Sequence, residues 1–530
     1  MHSRCIADMR KIFKLTELNS EARTLADFLR TQKIRLVMPC GGIGTCGKCR
    51  VQVSFLSGGK VLKTVKVPAC QTTASALLEM APEGTSLVQI DIDDSSIFHE
   101  KSSVSHSSGS RPFMAAVDLG STTIETAAVS VDGEIIGSVR RQNPQVSYGA
   151  DVLSRIKAAS NGQIAASDMQ RLAESTIQSS LQELSVQYRL SYRPLKMAVA
   201  GNTTMGHLLE GCDVKPLGEA PFDPGDISFK DISTIFFDDD TPVYLLPGIS
   251  AFVGGDIVSG IYELDMDLSD ETHMLVDLGT NGEMVLGSKD GFLVTSTAAG
   301  PAFEAANISC GVPGLPGAIR QVSFTGQKPK LSLIPWRTDF SKLSPGERMQ
   351  AELRQKSRRP PGLCGSGLIS VVSGMKKAGI IDDTSTFTKE EWIKNGFPLW
   401  KPAPMNRGEE PLTISQDDIH ELLLAKSAVR SGIEILIKKA GITPAKVYLA
   451  GGFGSALSAD DAASIGLFPE VLSNRITAVG NTSLKGAMKF LKEASPKTRE
   501  RLSAIRTMSS EIVLADEDDF ESLYISHLTL

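Results

Sequence analysis

No stretch of this chain gathers the roughly 20 apolar residues of a membrane span, and its opening segment, Met1-His-Ser-Arg-Cys-Ile-Ala-Asp-Met-Arg-Lys11, has no apolar core of a secretory leader. Both absences point to a cytoplasmic protein with no membrane partner. Basic charge is not in excess either. With 55 Lys and Arg against 61 Asp and Glu the net charge is −6, which gives no polyanion-binding footprint and argues against nucleic acid as a partner. The eight cysteines include only one C-x2-C pair, whereas zinc knuckles usually come in twos and disulfide frameworks belong to small secreted domains. What is present is ordinary for a globular chain: 41% hydrophobic and 22% charged residues. At 530 residues it is too long for a single core, and about two to four domains are expected.

Four of the cysteines, Cys40, Cys46, Cys49 and Cys70, follow the order C-x5-C-x2-C-x20-C. The first three lie on the loop Cys40-Gly-Gly-Ile-Gly-Thr-Cys46-Gly-Lys-Cys49. A 2Fe–2S cluster needs four thiolates converging on two irons, and a loop can supply three only if its backbone wraps the inorganic core, which its glycines permit. Lys48 adds positive charge beside an anionic cluster, and Cys70 would close the site from a separate strand. Five residues between the first two ligands, rather than the four of plant-type ferredoxins, resemble the adrenodoxin-like branch. Between Cys49 and Cys70 there is room for one hairpin: Arg50 to Phe55, a turn at Ser57-Gly58-Gly59, and Val61 to Val67. A zinc site and unliganded thiols are the alternatives. The other cysteines, Cys5, Cys212, Cys310 and Cys364, lack ligand spacing and read as buried small side chains.

Val88 to Ile92 alternates like the last strand of this domain, and the serine-rich stretch from Glu100 to Pro112 then has nothing to bury and reads as a linker. The remainder reads as one plan used twice. Phe113 to Val117 is a short buried strand running into Asp118-Leu-Gly-Ser-Thr-Thr123, followed by the strand Ile124 to Val129, a turn at Asp132-Gly133 and a third strand. About 160 residues on, His273 to Val276 runs into Asp277-Leu-Gly-Thr-Asn-Gly282, then Glu283 to Leu286, a turn at Asp290-Gly291, and Phe292 to Ser296. Each copy continues with apolar residues at helical spacing, over Ser167 to Tyr188 and over Asp417 to Lys439. Each then has a strand, a small-residue loop and a helix, beginning at Met197 and at Val447. Gln321 to Pro361, rich in Lys, Arg and Pro, departs from the plan and reads as an insertion, a solvated loop rather than the alternative of a partner contact.

A strand that delivers an aspartate into a turn of glycine and hydroxyl residues offers backbone N–H groups to phosphate, while the carboxylate can position Mg²⁺. Two such hairpins facing each other would clamp a triphosphate. Phosphate binding is therefore expected of Gly120, Ser121, Thr122 and Thr123 and of Gly279, Thr280, Asn281 and Gly282, and Mg²⁺ positioning of Asp118 and Asp277. Gly451, Gly452, Phe453 and Gly454, at a strand end, would let backbone approach a flat base and its sugar. Asp256 is the first candidate for orienting the attacking water, with Glu283 and Glu304 as rivals; a carboxylate that merely caps a helix is the plain reading of Asp256.

These three segments resemble the two phosphate motifs and the adenosine motif of the superfamily of acetate kinases, sugar kinases, Hsp70 and actin (ASKHA). The joint pattern is narrower. An N-terminal 2Fe–2S loop, a polar linker and an actin-like ATPase resemble the reductive activators of corrinoid proteins over essentially the whole chain, although the compact ferredoxin part and brief linker depart from that family. The resemblance implies an α/β architecture: a ferredoxin-like α+β domain at 1–98, a linker at 99–112, and a duplicated actin-like, RNase H-like ATPase with halves at 113–250 and 251–530. It implies ATP, Mg²⁺ and a 2Fe–2S cluster as cofactors, and a corrinoid protein and a reduced electron donor as partners, and it leaves a homodimer open. The expected activity is ATP-driven return of one electron to inactive Co(II), restoring Co(I) for methyl transfer. A 2-hydroxyacyl-CoA dehydratase activator is a rival, but its cluster cysteines lie within the ATPase. A small-molecule kinase would leave the cluster domain without a role, and a non-enzymatic redox sensor would show no corrinoid-linked turnover.

Overall fold

The computed structural model describes residues 9–18, 24–32, 34, 36, 49–92, 110–237, 241–314, 316–335, 359–402, 410–451 and 457–530. The chain forms two compact units, Met1–Leu246 with Phe490–Ala494, and Pro247–Lys489 with Ser495–Leu530.

The N-terminal part of the first unit is a four-stranded sheet of β1 (Met9–Lys14), β2 (Arg50–Ser57), β3 (Lys60–Pro68) and β4 (Leu87–Ile92), in the order β1-β4-β2-β3. Strand alternation puts Val51, Val53 and Phe55 of β2 and Val88, Ile90 and Ile92 of β4 into one core. Phe28 and Leu29 of the helix Leu25–Thr31 fill its other side, with the Phe13 and Phe28 rings edge to face at 5.0 Å. The β2–β3 turn falls on Gly58 and Gly59, both at positive φ (53° and 78°), the conformation that a two-residue hairpin turn demands.

A six-stranded sheet follows in the same unit: β5 (Met114–Leu119), β6 (Thr123–Val129), β7 (Ile135–Gln142), β8 (Met197–Gly201), β9 (Lys230–Asp231) and β10 (Val243–Leu245), ordered β7-β6-β5-β8-β10-β9. The three consecutive strands β5, β6 and β7 are antiparallel neighbours, whereas β8 returns parallel to β5 after the helix Gln163–Tyr188.

The second unit repeats this. Its strands β11 (His273–Leu278), β12 (Gly282–Ser288) and β13 (Gly291–Thr297) are antiparallel neighbours. Two hairpins intervene, β14 (Ile319–Thr325) with β15 (Lys328–Leu333) and β16 (Phe397–Trp400) with β17 (Leu412–Ile414). After the helix Gln416–Ala440, β18 (Lys446–Gly451) pairs parallel to β11, β19 (Ile476–Gly480) flanks it, and β20 (Ser509–Glu511) joins β13, giving β19-β18-β11-β12-β13-β20. That helix starts on a Ser415–Asp418 capping box and ends at Gly441 in the left-handed conformation, so its limits are written locally. The strand pattern third-second-first-fourth is common to both sheets, with one further parallel strand beside the fourth (β10 in the first, β19 in the second), so the duplication read from the sequence is structural.

Two expectations are corrected. Asp118 and Asp277 sit inside β5 and β11 rather than in the turns, because the ladder continues through Leu119 and Leu278. The segment read as a solvated insertion begins as the β14–β15 hairpin, whose Val322 is buried in the core and whose Phe324 ring approaches Gly374 of the helix Gly365–Lys377. Its lysines are compatible with a strand because they take the outer face. Residues 336–358 lie outside the described residues.

Candidate functional site

Antiparallel pairing of β2 and β3 places Arg50 opposite Pro68, which brings the residues just beyond the ladder, Cys49 and Cys70, to the same end. Their sulfurs are 3.2 Å apart, and the side chains are only 1% and 6% exposed. Around them the Ala69 N–H donates to the Cys49 carbonyl at 3.0 Å, and the Gln71 side-chain amide approaches the Cys70 sulfur at 4.0 Å. Two sulfurs this close, in a buried pocket with an N–H donor nearby, suit shared ligation of one iron. Cys40 and Cys46 lie outside the described residues. Of the cysteines read as structural, Cys310 and Cys364 are buried, and desolvation pushes the Cys310 thiol up to about 12. Cys212 is exposed, because it follows the helix Thr203–Glu210 at the surface, and that expectation is corrected. Cys5 is outside the described residues.

In the first actin-like sheet, Asp118 faces Glu125 across the β5–β6 ladder and Leu119 faces Ile124. The turn closes with the Gly120 N–H donating to the Thr123 carbonyl at 3.0 Å. Gly120 is needed here, since a Cβ would lie 2.7 Å from that carbonyl oxygen. Glu125 is neutralised by Arg140 at 2.6 Å and accepts from Ser138 at 3.1 Å.

The second hairpin repeats the register with one residue fewer in its turn: Asp277 faces Glu283, Leu278 faces Gly282, and the Gly279 N–H donates to the Asn281 carbonyl at 2.8 Å. Gly282 packs where a Cβ would meet Val429 at 2.6 Å. The electrostatics differ from those of the first copy. Burial pushes the Glu283 carboxyl well above its ordinary value, the charges of Asp256 and Asp277 push it further, and the Asn281 side chain opposes them with a hydrogen bond. Asp256 stands in the first turn of the helix Gly255–Glu263, where its Oδ1 accepts from the Ile257 N–H at 2.9 Å. Glu304 ends a short 3₁₀ turn and accepts a 2.5 Å hydrogen bond from the Thr280 hydroxyl. The three carboxylates named from sequence thus connect to one hairpin, two through charge and one through Thr280. Among the described residues no three His, Cys, Asp or Glu side chains form a metal-holding group.

Gly451 closes β18 at φ 138°, opposite Leu278. Gly452, Phe453 and Gly454 are outside the described residues. The sequence reading missed Asn143, Gln145 and Arg155, which stand behind the first turn: Asn143 Nδ2 donates to the Gly120 carbonyl at 2.8 Å and Arg155 Nη2 to the Ser121 carbonyl at 2.5 Å. Their only sequence signal is Asn143-Pro144 directly after a strand, an ordinary turn signature.

Fold and site together define a ferredoxin domain joined to a duplicated actin-like nucleotide-binding fold. Residues 14–75 match the 2Fe-2S iron-sulfur cluster binding domain. Residues 113–269 match the RACo middle region and 271–530 the C-terminal domain of RACo, the ASKHA domain. The corrinoid activation enzyme RamQ of Eubacterium limosum is 27% identical over 433 residues, 77% of this chain and 69% of that protein. The [Co(II) methylated amine-specific corrinoid protein] reductase of Methanosarcina barkeri is 27% identical over 287 residues, 53% of this chain and 50% of that protein. A solved reductive activator for corrinoid, iron-sulfur protein superposes with a TM-score of 0.70 at 25% identity, covering 100% of this chain and 80% of that one. The chain belongs to the RACo family. No helix among the described residues is long and apolar enough to cross a membrane.

Proposed function

We propose that this protein uses ATP to drive one electron from its 2Fe–2S cluster onto the inactive Co(II) of a corrinoid protein, restoring the Co(I) used in methyl transfer. The observation that carries the reading is the union, in one chain, of the paired buried sulfurs of Cys49 and Cys70 with a duplicated Asp-Leu-Gly hairpin fold. When bound, the cluster supplies a one-electron carrier, near about −400 mV in plant-type ferredoxins. Each ~59 mV of uphill transfer costs about 1.4 kcal/mol, and the Co(II)/Co(I) couple is low. ATP offsets this by favouring a docked complex that holds the Co(I) form more tightly; turning a 1:99 population into 99:1 takes about 5.5 kcal/mol.

In this scheme Cys40 and Cys46 complete the cluster ligands. Ser121, Thr122, Thr123, Thr280 and Asn281 bind phosphate, Asp118 and Asp277 position Mg²⁺, and the Gly451 to Gly454 loop takes the nucleoside. Asp256, Glu283 or Glu304 orients the attacking water. Residues 1–98, 99–112, 113–250 and 251–530 act as electron carrier, tether and the two ATPase halves. A reduced protein of the same compartment, which we assign to the cytoplasm, reloads the cluster.

The test is to add a Co(II) corrinoid protein, and separately a panel of small acids and sugars, to protein hydrolysing MgATP without oxygen. Stimulation by the corrinoid protein with no phosphorylated small molecule is expected. Phosphotransfer to a panel member, with hydrolysis indifferent to the corrinoid protein, overturns the reading in favour of a kinase.

A further inference from the structure

The turn Gly120 to Thr122 is held from behind by three hydrogen bonds, one to each successive carbonyl. Asn143 Nδ2 donates to Gly120 O at 2.8 Å, Arg155 Nη2 to Ser121 O at 2.5 Å, and the Asn143 backbone N–H to Thr122 O at 2.8 Å. In a trans peptide the carbonyl and the following N–H point in opposite directions. Fixing those three oxygens therefore turns the N–H groups of Ser121, Thr122 and Thr123 to the face away from Asn143 and Arg155. A row of successive backbone N–H groups held on one side is what an anion requires.

The brace is itself rigid. Arg155 is fully buried, and its Nε donates to Gly149 O at 3.0 Å while Nη1 reaches Gln145 Oε1 at 3.3 Å and Met205 Sδ at 3.2 Å. Asn143 is also fully buried; its Oδ1 accepts from the Gln145 N–H at 3.0 Å, and Gln145 Nε2 donates to Met169 O at 2.9 Å. A guanidinium one peptide behind the turn, out of water, also adds a positive potential on the phosphate side that solvent screens poorly.

We propose that Arg155 and Asn143 are positioning residues for the nucleotide's phosphates: they touch the back of the turn, and through its carbonyls they aim the backbone N–H groups and add positive charge behind them. The inference rests on the nucleotide-binding reading of this fold and assigns a role that the hairpin motif alone does not contain. A merely structural brace would affect every ligand alike. A phosphate-positioning brace has an effect that grows with the number of phosphates.

The experiment measures binding of MgATP, MgADP and adenosine to the full-length protein by calorimetry, for wild type, Arg155→Met, Arg155→Lys and Asn143→Asp. Asn143→Asp keeps the acceptor to Gln145 and removes the donor to Gly120. Loss of a charge-assisted contact predicts MgATP binding weaker by roughly 10- to 100-fold in Arg155→Met and Asn143→Asp, a smaller loss for MgADP, none for adenosine, and partial recovery in Arg155→Lys. Unchanged MgATP affinity in a folded variant overturns the inference, as does an equal loss for all three ligands. Should Arg155→Met fail to fold, Asn143→Asp and Arg155→Lys decide by the same comparison. Wild-type protein that binds no MgATP would refute the nucleotide reading itself, and this inference with it.

Discussion

Replacing Glu283 by glutamine should stabilise the nucleotide-free protein, increasingly so as pH rises. Glu283 is 8% exposed and stands directly opposite Asp277, and burial, then Asp256, then Asp277 raise its carboxyl well above 4.5. A carboxyl whose folded value exceeds its unfolded one keeps, on folding, a proton that the unfolded chain gives up. Stability therefore falls as pH climbs from the unfolded value and levels off only beyond the folded one. The slope is at most about 1.4 kcal/mol per pH unit, so the penalty 2.5 units above the starting point, at pH 7, is at most ~3.4 kcal/mol. Glutamine keeps the shape but misplaces one hydrogen bond, worth about 1 kcal/mol. The expected net gain is at most about 2.4 kcal/mol at pH 7, vanishing or reversing near pH 4.5. Amide exchange of β11 and β12 in the full-length protein, read by mass spectrometry at pH 5, 6 and 7 and corrected for intrinsic rates, reports this local stability. A protection difference that does not change with pH, or a wild type better protected at pH 7, refutes the reasoning.

Cys70→Ser should abolish the iron and sulfide content and the visible absorbance of reconstituted protein, whereas Cys212→Ser, at an exposed cysteine remote in sequence, should leave both intact; iron analysis separates the two, and full iron in Cys70→Ser contradicts the ligand assignment. Gly201→Ala would set a Cβ 2.6 Å from the Leu119 carbonyl oxygen, straining the β5–β8 pair just ahead of the Gly120–Thr123 turn. A loss of roughly 1–3 kcal/mol is expected, and an unchanged melting temperature counts against it. Lys426 is 2% exposed and donates to Thr529 O at 2.6 Å; burial, then Arg430 and Lys376, lowers it to about 8. Since the folded state favours its neutral form, wild-type stability relative to Lys426→Met should stay flat below pH 8 and rise above it by up to about 1.4 kcal/mol per unit. Urea unfolding at pH 7 to 10 checks this, and a constant difference refutes it.

Local chemistry made much of the architecture legible. The Gly58-Gly59 turn, the alternation of Val88 to Ile92, and the Ser415 cap and Gly441 stop of the long helix are each written within a few residues, and the hairpin repeat declared the duplication. The β14–β15 hairpin escaped notice because its apolar positions, interrupted by a bulge after Ile319, break the two-residue period amid lysines. Candidate site residues in motif positions were named. Asn143 and Arg155 were not, because they act on the backbone of a turn more than 20 residues earlier, and a sequence does not display contacts made to carbonyls. The opposite charge settings of Glu125 and Glu283 were equally hidden, since both occupy the same place in the repeat and differ only in what folds against them.

In the proposed reaction, nucleotide drives an unfavourable electron transfer. Protein with its cluster reduced, mixed without oxygen with a Co(II) corrinoid protein, should produce the Co(I) absorbance only when MgATP is added, with little or none in buffer alone. Equal Co(I) formation with and without MgATP, from protein whose cluster is fully loaded, would contradict it.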